Sequence, residues 1–238
     1  MSLEAGHRPL MRMRYEIVEI PPIRPKSACV WLVSLRGSLT QSPSLLQLLS
    51  RRVSHVVSIT NTDVSFPSDK LKHLQIWLED ESDSDLASNF ERIFEFMREA
   101  VALNGAVLVH CEAGISRSAT TVIAYLVKYH SMSLEQAFRH TKERRRIINP
   151  NSGFVEQLRQ FEASMQPTSP YDPFPFVFYW LKTFVYSLKD ISEDEARKGW
   201  IASGNDLSRT WQILSEEYEE RYLLPTISKN NKQNVHTK

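Results

Sequence analysis

One stretch, residues 107–119 (VLVHCEAGISRSA), constrains this chain more than any other. It begins with a short uninterrupted apolar run, which is typical of a strand buried on both faces. Gly114 then marks a turn, and a helix is predicted to begin near Arg117. A strand, a short loop and a helix N-terminus in this order point successive backbone N–H groups into one concavity. The sequence therefore predicts an anion-binding loop.

The two ends of this loop carry a nucleophile and a ligand for an oxyanion. Cys111 lies beneath the N–H groups and the positive end of the helix dipole, so we expect the pKa of its thiol to fall below about 8.5. Arg117 offers a planar guanidinium that binds two oxygens of a phosphate. A buried structural cysteine is the alternative, but it does not require these residues in register with a strand and a helix.

Strand and helix patterns alternate around the loop, which predicts an α/β fold with a mostly parallel sheet and helical cover. Strands are predicted at 15–20, 29–34, 55–59, 71–77 and 106–110. Caps are predicted at Ser42–Pro43 for a short helix through Leu49, at Ser133 with Gln136, and at Asn151. A long helix is predicted from about Asp83 to the Asn104–Gly105 stop, with one apolar face: Leu86, Phe90, Ile93, Phe94, Met97 and Val101.

The motif His110-Cys111-x5-Arg117-Ser118 resembles the signature of the Cys-dependent protein tyrosine phosphatases. Within that superfamily, residues 113–119 are similar to the dual-specificity phosphatases. The likeness extends over about residues 15–165 and includes Gly37-Ser38, Glu79-Asp80, Asp85-Leu86, Phe90 and the segment 144–151. The resemblance implies a central twisted sheet of four or five strands flanked by helices. It also implies hydrolysis of phosphate esters through a phosphocysteine.

This chemistry needs a general acid, because an alkoxide or phenoxide leaves poorly as an anion at neutral pH. Five acids precede the long helix: Glu79, Asp80, Glu81, Asp83 and Asp85. The residue types alone do not choose among them, and a solvated charge run at a helix N-terminus is the alternative. The resemblance selects Asp80, 31 residues before Cys111, although the family usually has a small residue where this chain has Glu81.

The resemblance also assigns the remaining roles in the loop. It implies that Ser118 donates a hydrogen bond to the sulfur in the second step and that His110 orders the loop from behind. The backbone N–H groups from Glu112 to Arg117 stabilise the phosphate oxygens. The phosphate-binding residues are therefore expected to be Glu112, Ala113, Gly114, Ile115, Ser116 and Arg117. No metal and no cofactor is required.

The expected substrates are proteins carrying phosphotyrosine together with phosphoserine or phosphothreonine. The loop contains no Lys, which disfavours inositol lipids. Two alternatives stay open: a phospho-binding scaffold or regulatory module with weak or no turnover, and a phosphatase of a non-protein ester. The basic run at 139–146 is interpreted as the solvated end of a helix rather than as a surface that attracts acidic or doubly phosphorylated substrates.

Composition narrows the class of protein. The 238 residues are 42% hydrophobic with a formal net charge of +1, which gives no bulk electrostatic reason to bind nucleic acid. No secretory signal and no apolar run of transmembrane length is found, so we expect no transmembrane segment.

The two cysteines, Cys29 and Cys111, argue against a disulfide scaffold and for a reducing location, cytoplasmic with the nucleus as a second site. Cys29 is interpreted as buried and structural, with a protective disulfide to Cys111 as the alternative.

The flanking regions are expected to differ from the catalytic domain at 15–165. Residues 1–14 are expected to form a flexible lead-in, 166–227 a helical extension and 228–238 a disordered tail. Prolines mark a linker at 167–175, and the aromatic stretch 174–188 follows it. We favour packing of this stretch as a cover, with an exposed surface for a protein partner or a membrane interface as the alternative. Ser192 with Glu195 predicts another capping box.

Overall fold

The computed structural model describes residues 18–20, 30–34, 45–64, 66, 69–165, 172–185 and 188–218. These residues form five strands: β1 Val18–Ile20, β2 Val30–Ser34, β3 Val53–Thr60, β4 Lys72–Trp77 and β5 Ala106–Cys111. Five helices accompany them: α1 Leu45–Ser50, α2 Phe90–Ala102, α3 Arg117–His130, α4 Leu134–Arg144 and α5 Ser152–Met165. Three more follow: α6 Phe174–Phe184, α7 Glu193–Ala202 and α8 Leu207–Tyr218. The predictions for 1–14, Cys29, Ser42–Pro43 and 228–238 concern residues outside this part.

The five strands form one sheet in the order β1-β2-β5-β3-β4. The pairs β2–β5, β5–β3 and β3–β4 are parallel, and β1 pairs with β2 in the antiparallel direction. This confirms the predicted α/β class with a mostly parallel sheet. β5 lies in the centre, so the loop that follows it emerges at the carboxyl edge of the sheet, where ligands of open α/β sheets bind.

Alternation along the strands separates two apolar clusters. Val57, Ile59, Val107 and Val109 face a large cluster that includes residues from α2, α3, α4 and α5. Val56 and Leu108 face the opposite side, where Leu48 of α1 covers them. β5 is buried along its whole length, as its uninterrupted apolar run predicts.

The long helix begins later than its apolar pattern predicts. A 3₁₀ turn at Ala87–Asn89 precedes α2, which starts at Phe90 rather than near Asp83. The N–H groups of Leu86 and Ala87 both donate to Oε1 of Gln157, at 2.9 and 2.8 Å, so a partner on α5 replaces the first helical turn. Val101 is only partly buried, and Ala100 takes its place in the core.

Three predicted helix starts are confirmed. Ser133 with Gln136 and Ser192 with Glu195 both form reciprocal capping boxes, at α4 and α7. The N–H of Phe154 donates to Oδ1 of Asn151 at 2.9 Å, so Asn151 caps α5.

The C-terminal helices continue the main core instead of standing apart from it. The rings of Phe138 on α4 and Phe176 on α6 lie 5.4 Å apart between centroids. Trp200 of α7 is buried and lies 5.8 Å from the guanidinium of Arg159 on α5. The favoured interpretation of the aromatic stretch as a packed cover is confirmed. No helix in the described ranges is long and apolar enough to cross a membrane.

Candidate active site

The loop between β5 and α3 holds Cys111 at its start. The thiol is buried, and the N–H of Gly114 donates to its sulfur at 3.2 Å. Oγ of Ser118, in the first turn of α3, lies 3.1 Å from the same sulfur. Gly114 has a φ of 62°, which lies in the left-handed region that glycine adopts without strain, so the chain turns back over the sulfur here. The strand, loop and helix N-terminus follow in the predicted order.

Arg117 begins α3 and is 3% exposed. Its Nη1 donates to the carbonyl oxygen of Leu78 at 2.9 Å, which fixes the guanidinium against the segment after β4. Its Nε lies 3.6 Å from Oδ2 of Asp80, and its Nη2 lies 3.4 Å from Oε2 of Glu112. Both carboxylates therefore lie where a phosphate would compete for the same donors.

Asp80 is the acid of the upstream cluster that bonds to the loop. Oγ of Ser116 donates to its Oδ1 at 2.5 Å, and Nδ2 of Asn151 donates to the same oxygen at 2.9 Å. The N–H of Asn151 also donates to Oγ of Ser116, at 3.2 Å. Oδ1 is thus held by two donors, and Oδ2 faces the guanidinium of Arg117. Asp85, by contrast, accepts from the N–H of Ser88 at the start of the helical segment.

Arg145 is the site residue that the sequence interpretation placed wrongly. It is 2% exposed, although the run 139–146 was expected to be a solvated helix end. Its Nε donates to the carbonyl oxygen of Gly114 at 2.8 Å, and its Nη2 lies 3.4 Å from that of Ala113. Arg145 is buried because α4 ends at Arg144 and the next residue turns inward to satisfy carbonyls of the loop. The resemblance of residues 144–151 to the family was the signal in the sequence that could have placed Arg145 at the site.

His110 lies directly behind the loop on β5 and is fully buried. Its Nε2 is 2.5 Å from Oγ of Ser58 on the neighbouring strand. Burial lowers the pKa of His110 to about 3, and the main chain of Cys111 opposes that shift. The imidazole is therefore neutral at physiological pH and fills a position behind the sulfur.

The described part of the chain gathers no group of three His, Cys, Asp or Glu side chains that could hold a metal ion. The arrangement at the loop is a buried thiol that accepts from the N–H of Gly114, a fixed guanidinium, and the carboxylates of Asp80 and Glu112 beside that guanidinium. These are the parts needed to bind an oxyanion and to attack its central atom.

The sequence pattern of the dual specificity phosphatase catalytic domain matches residues 38–164.

The chain belongs to the dual specificity phosphatase family.

This assigns the chain to the protein phosphatases that act on phosphotyrosine and on phosphoserine or phosphothreonine. Dual specificity protein phosphatase 1 of Arabidopsis thaliana is 36% identical over 138 residues, which is 58% of this chain and 70% of that protein. Protein phosphatase Slingshot homolog of Xenopus laevis is 38% identical over 127 residues, 53% of this chain but only 18% of its own length.

Solved structures agree with this assignment. The crystal structure of the human tyrosine phosphatase-like serine/threonine/tyrosine-interacting protein is 31% identical, with a TM-score of 0.55 over 64% of this phosphatase and 99% of that chain. Human DUSP28 is 28% identical, with a TM-score of 0.55 over 63% of this phosphatase and 95% of its own chain. Both alignments leave about a third of the phosphatase unmatched.

Proposed function

We propose that this phosphatase hydrolyses phosphoproteins through a phosphocysteine formed on Cys111. One observation carries the proposal: the buried thiol accepts from the N–H of Gly114 and lies 3.1 Å from Oγ of Ser118, and Arg117, at the other end of the same loop, pairs with the carboxylate of Asp80. A structural cysteine does not need an N–H that donates to its sulfur, a hydroxyl oxygen beside it, a fixed guanidinium and a carboxylate carried by a separate segment.

In the first step the thiolate of Cys111 attacks phosphorus and an S–P bond forms. The P–O bond to the leaving group breaks, and protonated Asp80 gives its proton to the departing oxygen. Arg117 and the backbone N–H groups of the loop hold the equatorial oxygens while negative charge spreads over them. We assign the proton transfer to Oδ2 of Asp80, because Ser116 and Asn151 already occupy Oδ1.

In the second step water attacks phosphorus and the S–P bond breaks. Asp80, now a carboxylate, takes the proton from that water and is restored to its protonated form. The hydroxyl of Ser118, 3.1 Å from the sulfur, donates to the departing thiolate and eases its release. The products are inorganic phosphate and the free enzyme, and neither step needs a metal or a cofactor.

Side chains around the loop support a phosphoprotein substrate over an inositol phosphate. Glu112, the residue after the nucleophile, is half-exposed and lies against Arg117, so the mouth of the loop carries a negative charge. Arg145 supports the loop from within and does not reach out for additional phosphates. An ester with several phosphate groups would meet repulsion at this mouth.

Turnover of para-nitrophenyl phosphate and of matched phosphotyrosine and phosphothreonine peptides tests the proposal. Wild type is expected to hydrolyse all three, Cys111→Ser to hydrolyse none, and both to keep the same thermal unfolding midpoint within experimental error. A wild type that binds phosphopeptide without turnover would instead support the phospho-binding module. Turnover confined to small or inositol esters would support the non-protein phosphatase.

A further inference from the structure

Three polar side chains form a line behind the candidate active site, across three neighbouring strands. They are His73 on β4, Ser58 on β3 and His110 on β5. Oγ of Ser58 lies 2.7 Å from Nε2 of His73 and 2.5 Å from Nε2 of His110. Ser58 and His110 are directly paired in the sheet register, and His73 is paired with Val56, two residues before Ser58 on β3. The line connects a strand at the edge of the sheet to the residue that precedes the nucleophile.

The line leads from solvent to the interior. Ser58 and His110 are both fully buried, while His73 is only partly buried. His73 is therefore the member that exchanges protons with water. The ring of Phe66 lies edge-on to both imidazoles, 5.1 Å from His73 and 5.9 Å from His110, and packs over the line.

The two histidines titrate in different ranges. Burial lowers the pKa of His110 to about 3, so this ring is neutral at physiological pH. Burial also lowers the pKa of His73 below its ordinary value of 6.5, while Asp63, in the segment after β3, acts in the opposite direction. The neighbouring titratable groups are His110 on β5, which is neutral, and Lys72, the preceding residue on β4, which pairs with Glu99. Acidification therefore protonates His73 first.

The hydroxyl of Ser58 has one hydrogen to share between two ring nitrogens. If Ser58 donates to His110, then Nε2 of His73 must carry a proton and donate to Ser58. If Ser58 donates to His73, then Nε2 of His110 must carry the proton instead. Protonated His73 has a hydrogen on both nitrogens and permits only the first arrangement.

We propose that His73 is a positioning residue of the phosphatase, which sets through Ser58 the ring nitrogen on which His110 carries its proton. In the arrangement that protonated His73 imposes, the proton of His110 lies on Nδ1. Within the described residues, Nδ1 of His110 is buried without a hydrogen-bond partner, and Cys111 is the next residue on β5. The position of that proton thus acts on the peptide group that carries the nucleophile.

Ring-nitrogen NMR of the full chain, recorded across the titration of His73, tests the proposal directly. In wild type, the fraction of His110 with its proton on Nδ1 is expected to rise as the pH falls and to become complete when His73 is protonated. His73→Gln cannot titrate, so its His110 signal is expected to stay constant with pH. In Ser58→Ala, His73 still titrates and His110 is expected not to respond.

Kinetics provide the second readout, and this part rests on the proposed function. The pH profile of kcat/KM for para-nitrophenyl phosphate is expected to contain an inflection at the His73 titration that His73→Gln lacks. His73→Phe, which keeps the ring but loses the hydrogen bond, is expected to lower kcat/KM about 2- to 10-fold at pH 7.5. His73→Gln is expected to restore most of that loss.

His140→Gln is the matched control, because His140 is also half-buried with a lowered pKa but contacts Arg144 on α4. This variant is expected to leave the pH dependence of the His110 signal and the pH profile of kcat/KM unchanged. Either of two results would overturn the proposal. The His110 signal of wild type could stay constant while His73 titrates, or the His110 signal of Ser58→Ala could change with pH as it does in wild type. Because NMR needs no turnover, an inactive wild type with a normal His110 response would contradict only the proposed function.

Discussion

At the scale of single residues, the position of Asp80 distinguishes it from its acidic neighbours. Of the five candidate acids, Asp80 is the one whose carboxylate contacts both the loop and Arg117. Glu81, the next residue, is exposed and carries the same charge. Contact with the loop and with Arg117, rather than the charge of the segment, therefore supports Asp80 as the proposed general acid.

Asp80→Asn is expected to lower kcat about 100-fold or more, because a positioned acid–base group contributes roughly 10²- to 10⁴-fold. The loss is expected to be larger with a phosphothreonine peptide than with para-nitrophenyl phosphate, since an alkoxide needs the proton more. Steady-state kinetics with both substrates measure this. Glu81→Gln is the matched control and is expected to stay within twofold of wild type. A larger loss of kcat in Glu81→Gln than in Asp80→Asn would contradict the assignment of the acid role to Asp80.

His110 makes the stability of the fold depend on pH. Its pKa of about 3 in the folded state lies below the ordinary value of 6.5, so the unfolded chain binds more protons between these two values. The free energy of unfolding is therefore expected to fall as the pH drops from 6.5 towards 3, by up to about 1.4 kcal/mol per pH unit from this group. Urea unfolding at pH 7.5, 6 and 5 measures the slope. Constant or rising stability towards acid would show that His110 is protonated in the fold.

At the scale of elements, the segment carrying Asp80 packs closely against the start of α5. Gly153 lies in the first turn of α5, and a Cβ built there would come within 1.7 Å of the carbonyl oxygen of Ser82. The contact is with backbone, so no side-chain rotation relieves it. This glycine is required by the close approach of two segments rather than by a turn.

Gly153→Ala is therefore expected to displace the 78–85 segment and to lower kcat about 10-fold or more, because small misplacements of a catalytic group are costly. The rate at which iodoacetamide alkylates Cys111 is expected to change much less, since the clash with Ser82 lies outside the loop after β5. Gly204→Ala is not a suitable comparison, because its φ is 74°. Ser152→Ala, on the same turn and half-buried, is the control. Unchanged kcat in Gly153→Ala would show that this packing does not position Asp80.

The elements themselves were largely predictable from the sequence, because their signals are local. The buried strand at 106–110, the capping boxes at Ser133 and Ser192 and the Asn151 cap all follow from neighbouring residues. The start of α2 was not predictable, since the amides of Leu86 and Ala87, just before it, bond to Gln157, about 70 residues later. Arg145 was missed for the same reason: a basic run looks solvated until the fold brings unsatisfied carbonyls to it.

At the scale of the whole molecule, α6–α8 enlarge the core of the phosphatase. Phe176, Trp200 and Leu214 all belong to the cluster that contains Phe138 and Phe154. The residues of the candidate site, in contrast, lie between Leu78 and Asn151. The extension is therefore expected to support stability more than chemistry, and a role in binding a protein partner stays a prediction.

Trp200→Ala is expected to lower the free energy of unfolding by about 3–5 kcal/mol, because it leaves a cavity between α5 and α7. At 15 °C, kcat/KM is expected to remain within about twofold of wild type, since Trp200 takes no part in the contacts described for the loop and Asp80. Ile201→Ala, at an exposed position on the same helix, is expected to change stability by no more than about 0.5 kcal/mol. Equal stability of the two variants would show that the extension does not contribute to the core.

The central claim is that phosphate passes through the sulfur of Cys111, and trapping that intermediate tests it most directly. Asp80→Asn mixed with para-nitrophenyl phosphate, quenched in acid and digested, is expected to carry one phosphoryl group on Cys111. Ser118→Ala is expected to accumulate more of this species than wild type, because thiolate release is slowed. Two results would contradict the account, each in a preparation whose wild type releases phosphate rapidly. One is a phosphoryl group on a residue other than Cys111, and the other is no phosphoenzyme in any variant.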